Sequence, residues 1–96
     1  MLGSSRISTS DLAQLCRRLS TSLEAGIDMR TVWKREADRT WGLTAKARIR
    51  AVSEAVEHGE SMRDALKEAN GFLPPLFCQL AEIGEQTGHL GEALGH

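Results

Sequence analysis

The sequence predicts an all-α fold: an antiparallel bundle of about six helices, arranged as three helical hairpins, with the last helix cut short. Three observations lead there. Leu12, Leu15, Cys16, Leu19 and Leu23 recur at helical spacing, which places them on one stripe of a 3.6-residue helix. No segment shows the two-residue alternation of a half-buried strand. Capping residues and glycines punctuate the chain at short intervals, and short links favour antiparallel neighbours.

The first helix begins near Ser8, which stands three residues before Asp11 in capping-box spacing. It ends at Gly26, a residue able to take the left-handed conformation that closes a helix. Asp28 caps a second helix that turns Val32, Trp33 and Ala37 inward. Thr40-Trp41-Gly42 breaks the pattern, and Thr44 is the expected cap of a third helix carrying Ile49, Val52 and Val56. Gly59 closes it. Ser61 and Asp64 repeat the capping spacing for a fourth helix, which buries Met62, Ala65, Leu66 and Ala69. Asn70-Gly71 signals a turn. Pro74 and Pro75 suit the first positions of a fifth helix, where the missing N–H costs nothing. Leu76, Phe77, Leu80, Ile83 and Gly84 form its expected inward stripe, and Gly88 ends it. Leu90 to Leu94 starts a sixth helix. Residues 8–94 thus form one helical domain, preceded by an expected disordered segment, 1–7.

Ninety-six residues suit a single domain. A chain of this size buries roughly 60–70% of the surface that its unfolded form exposes. With Trp33, Trp41, Phe72 and Phe77 as the only aromatics, aliphatic side chains must do most of the packing. No run reaches the ~18–20 apolar residues of a membrane-spanning helix, and residues 1–10 lack the apolar stretch of a secretion signal. Cys16 and Cys78 are far apart and form no C-x-x-C pair, so they read as small free thiols on apolar stripes. The net charge of −1 hides an asymmetry: ten Lys/Arg and five Asp/Glu in residues 1–50, two and eight in the remainder.

The parts of an enzyme are missing from the pattern. His58, His89 and His96 stand near glycines or at the end of the chain, with no i, i+4 pairing for a metal. No nucleophile elbow, phosphate-binding glycine loop or H-E-x-x-H occurs. Glu82 and Glu85 share a helix face and are the only candidates for a Ca²⁺ or Mg²⁺ at a subunit contact. Two carboxylates alone make an incomplete cation site, so a solvated face, or a bond to a neighbouring turn, is the preferred reading. No cofactor, small-molecule substrate or catalytic residue is expected. Mid-helix Gly84 costs about 1 kcal/mol against alanine and implies close approach by another helix or another subunit.

Three phrases recur together: Gly59-Glu60-Ser61-Met62 leading to Ala65-Leu66, then Phe72-Leu73-Pro74-Pro75-Leu76-Phe77, then Gly84-Glu85-Gln86-Thr87-Gly88 leading to Leu90. Combined, they resemble the cytoplasmic helical domain of the inner-membrane platform proteins of bacterial type II secretion systems and type IV pilus machines. The resemblance covers roughly Leu12 to Leu94, and the stretch around Gly26 is similar to the opening of that domain. It implies a non-catalytic scaffold at the cytoplasmic face of the inner membrane, docking the secretion or pilus ATPase and neighbouring assembly components. Membrane attachment would come through parts outside this chain. The sequence departs from the pattern at Gly91, where an acidic helix-starting residue is usual, and in its Arg/Lys-rich second and third helices. The cut-short sixth helix is expected to leave apolar surface that pairs two copies.

The alternative is a nucleic-acid-binding or soluble adaptor domain using the basic surface of residues 17–50. Arg17, Arg18, Arg30, Lys34, Arg35, Arg39, Lys46, Arg48 and Arg50 would line it. A sequence pI near 6.3 and the absence of a helix-turn-helix signature weigh against nucleic acid.

Overall fold

The computed structural model describes residues 6–95, which fold into six α-helices. They are α1 (Thr9–Glu24), α2 (Met29–Arg39), α3 (Leu43–Glu57), α4 (Met62–Lys67), α5 (Pro75–Thr87) and α6 (Leu90–Leu94). No strand occurs among the described residues. Of the expected N-terminal disordered segment, residues 1–5 lie outside the described residues. The Ile7 N–H donates to the Phe72 carbonyl at 3.0 Å.

Each helix packs on the next, and α6 closes against α1, so the three hairpins form a ring. Leu19, Trp33, Val52 and Met62, from four different helices, are the largest side chains wholly removed from water. Leu15, Ile49, Leu66, Phe72, Leu73 and Phe77 join them in one continuous core. Burying each of these side chains contributes about 1.5–3 kcal/mol, which the short helices need because none would persist alone.

The start signals operate through hydrogen bonds. Ser8 Oγ accepts from the Asp11 N–H at 3.1 Å, and Ser61 Oγ from the Asp64 N–H at 3.2 Å. Asp28 accepts from both the Thr31 hydroxyl, at 2.7 Å, and the Thr31 N–H, at 3.2 Å. These bonds favour its charged form and lower its pKa. Gly26, Gly59 and Gly88 follow their helices with φ of 89°, 85° and 76°. There the next N–H reaches back to Ser22, Ala55 and Gly84 carbonyls, respectively, satisfying groups a helix end leaves open.

Two expectations need correction. The cap of α3 is Gly42 rather than Thr44, and no side-chain bond supports it. Gly42 turns the chain at φ 99°. Lys46 then anchors the first turns of α3 by donating to the Ala37 and Asp38 carbonyls at 2.8 and 3.1 Å. In α5 the inward stripe is Phe77, Ala81 and Gly84 with Leu80 at its border, while Leu76 and Ile83 are 64% and 55% exposed. Small residues face inward because neighbouring helices come close.

That approach is tightest at Gly84. A Cβ there would lie 2.8 Å from Leu90 Cα and 3.0 Å from Ala93 Cβ. The close partner is therefore another helix of the same chain. Gly91, the departure expected to weaken α6, is buried against α1, where a Cβ would come 3.2 Å from Leu23 Cβ. Absence of side chains lets α6 wedge between α5 and α1.

Gly84→Ala places a methyl against backbone, which no rotamer change relieves. The overpacking cost of about 1–3 kcal/mol should exceed the helix-propensity gain of about 1 kcal/mol. A lower urea midpoint with an unchanged slope is the expected outcome. An alanine variant as stable as the parent would contradict the close packing.

Candidate functional site

Two of the three recurring phrases, those around Gly59 and Gly84, converge on one structural joint. Gly59 ends α3, Ser61 caps α4, Gly84 receives α6, and Gly88 releases the chain into Leu90, which is buried. Glu85 ties the joint together: its Oε1 accepts from the Met62 N–H at 2.9 Å, at the N-terminus of α4. A carboxylate there meets both an open donor and the positive end of the helix dipole. Glu82, one turn back, lies 3.6 Å from Arg63 Nε. Both candidate cation ligands therefore turn toward α4, and no group of three metal-ligating side chains occurs among the described residues. Glu60 is exposed, and its N–H closes α3. Pro74 is the N-cap of α5 and Pro75 its first residue.

Two surfaces remain for recognition. One is an apolar groove of about 490 Å³ between α1 and α5, bordered by Leu12, Cys16, Leu76, Leu80 and Leu94. These helices face one another across it without packing directly. The other is the basic hairpin of α2 and α3. Arg17, Arg30, Lys34, Arg35, Arg39 and Arg50 are exposed, and Arg48 is half-buried. Two members of the expected basic surface are engaged within the fold. Lys46 caps the end of α2 as described, and Arg18 forms a fork with Glu36: Nε to Oε2 and Nη2 to Oε1, each 2.9 Å.

Glu36 is the residue that sequence reasoning missed. It is 5% exposed, and a buried carboxylate is tolerated only when paired and hydrogen-bonded. Its signal was present: an acidic side chain one turn from Val32 and beside Ala37 stands on the inward stripe of α2. The Arg18 pKa rises because its hydrogen bond to Glu36 holds the charged form. Trp41, which the sequence placed in a break of the pattern, is 93% exposed at the apex, and Leu43 beyond Gly42 is 92% exposed.

Burial raises both the Cys16 and the Cys78 thiol above the ordinary cysteine range, which lowers the reactive thiolate fraction at neutral pH. Neither is in a disulfide. Ser20, from the hydroxyl run in α1, donates to Glu24 Oε1 at 3.0 Å. His58 Nδ1 lies 2.7 Å from the Glu54 carbonyl. No helix among the described residues is long and apolar enough to cross a membrane.

Breaking the fork from one side should be worse than removing it whole. Arg18→Met leaves Glu36 buried without its counter-charge and should cost about 2–4 kcal/mol, short of the loss for a wholly buried pair because Arg18 is partly hydrated. Arg18→Met with Glu36→Leu should recover most of that loss. Equal losses in the single and double variants, measured by urea unfolding, would show that the pairing does not hold α1 to α2.

Comparison with known proteins agrees with the family resemblance read from the sequence. The family model described as "Type II secretion system (T2SS), protein F" matches residues 15–96. The chain is 28% identical over 88 residues to the type II secretion system protein F of Vibrio cholerae, and equally so to that of Pseudomonas aeruginosa. Each alignment covers 92% of this chain. The type 4 fimbrial assembly protein PilC of Pseudomonas putida is 29% identical over 84 residues, 88% of this chain. The chain spans only 21–22% of the length of these curated relatives.

Proposed function

Because this chain belongs to the type II secretion system protein F family, we propose that it is a scaffold and docking domain of a secretion or pilus platform. It sits at the cytoplasmic face of the bacterial inner membrane, engages the assembly ATPase and neighbouring components, and performs no catalysis. One observation supports this reading above others. The family phrases around Gly59 and Gly84 build joints between helices, while the phrase around Pro74-Pro75 carries Leu76, exposed on the edge of α5 opposite Glu85 at the border of an apolar groove. Family-phrase residues that shape the fold and also border an exposed apolar groove suit recognition of another protein.

The groove supplies the test. Leu76 is 64% exposed and lies in the first turn of α5. Leu76→Asp therefore removes apolar surface without opening the core, and an acidic residue there complements the helix dipole. Titration of the purified assembly ATPase into the chain should give saturable binding, weakened at least tenfold by Leu76→Asp, since burying a leucine contributes about 1.5–3 kcal/mol. A thermal midpoint equal to the parent's would confirm that the fold is intact. No binding by the parent chain, to the ATPase or to the other assembly components, would remove the docking role.

A further inference from the structure

The apex between α2 and α3 carries the two most exposed large apolar side chains among the described residues. Trp41 is 93% exposed and Leu43 92%, and they straddle Gly42, whose φ of 99° turns the chain outward. Scattered apolar residues on a surface need no explanation, but two adjacent ones at the tip of a helical hairpin form a protruding wedge. Neither side chain is part of the core or packed against it.

The charges around the wedge have one prevailing sign. Arg39 shares a hollow with Trp41, and Arg6 shares one with Leu43. The first two turns of α3 carry Lys46, Arg48 and Arg50 with no acid, whereas its last two carry Glu54 and Glu57 with no base. Asp11 and Asp38 are the carboxylates near this end. Glu36 is neutralised by Arg18. Along α3 the charge therefore runs from positive at the apex to negative at its far end.

We propose that this apex is a membrane-surface contact: Trp41 and Leu43 enter the interface of an anionic bilayer while Arg6, Arg39, Arg48 and Arg50 face its headgroups. Tryptophan suits the boundary because its ring is apolar and its indole N–H still finds a partner among headgroups and water. Cations near an anionic leaflet add attraction that fades within a Debye length, about 10 Å at 0.1 M salt. Nucleic acid would be matched by the charge but not by an isolated apolar wedge. A membrane satisfies both. The inference rests on the preceding reading only for which membrane is met; vesicle binding and ATPase binding are separate measurements and can fail separately.

The full 96-residue chain can be floated with vesicles of phosphatidylethanolamine and phosphatidylglycerol, and with phosphatidylcholine vesicles as the neutral comparison. Flotation should occur with the anionic vesicles and weaken as salt rises. Emission from Trp41 should shift to the blue on binding. Trp33 is buried and should not respond, so a Trp41→Phe variant should lose the shift. Trp41→Ser with Leu43→Ser should lower partitioning by roughly tenfold or more with an unchanged thermal midpoint, because both side chains already stand in water. Absence of flotation with the anionic vesicles, or equal flotation of the double variant, would overturn the proposal. So would a double variant that loses only ATPase binding while the parent ignores vesicles, an outcome that would assign the apex to a protein interface.

Discussion

The fit of α6 against α5 at Gly84 is the constraint on which the bundle depends. A five-residue helix has too few internal hydrogen bonds to form by itself. It exists because Gly84 lets Leu90 and Ala93 approach the α5 backbone, and Gly91 lets Leu23 and Glu24 approach from α1. α6 packs on both α5 and α1 and so links the two ends of the chain of helices. Two glycines that look like weak points in helices are what allow six short elements to share one core.

Electrostatics settles where the remaining helices sit. α1 and α2 pack lightly, and the Arg18–Glu36 fork is the directed link between them. A forked ion pair adds geometry as well as attraction. Glu85 does the equivalent for α4, meeting its first N–H from α5. Both carboxylates thus act on neighbouring helices, leaving the groove and the basic hairpin as the surfaces available to partners. The relatives of this chain are named for both secretion and fimbrial assembly.

Much of this was legible in the sequence wherever one residue's chemistry decides a local outcome. Ser8, Asp28 and Ser61 cap, and Gly26, Gly59 and Gly88 stop, because those roles need only neighbours in the chain. What escaped depends on partners distant in sequence. Leu76 and Ile83 have the apolarity of core residues, but Ala81 and Gly84 win the inward face because crossing helices require small contacts. Glu36 was hidden for the same reason: its tolerance inside the fold comes from Arg18, 18 residues away. Thr44 looked like a cap until the Gly42 turn and the Lys46 anchor set the start of α3. The candidate surfaces were least legible, since a groove exists only between helices that have already packed.

A nuclear Overhauser measurement on the chain in solution tests the ring most directly. Closure by α6 predicts strong cross-peaks from the Gly84 α-protons to Leu90 and Ala93, and from Gly91 to Leu23. Random-coil shifts for residues 90–94, with those cross-peaks missing, would contradict the closed bundle and remove the wall on which the groove between α1 and α5 ends.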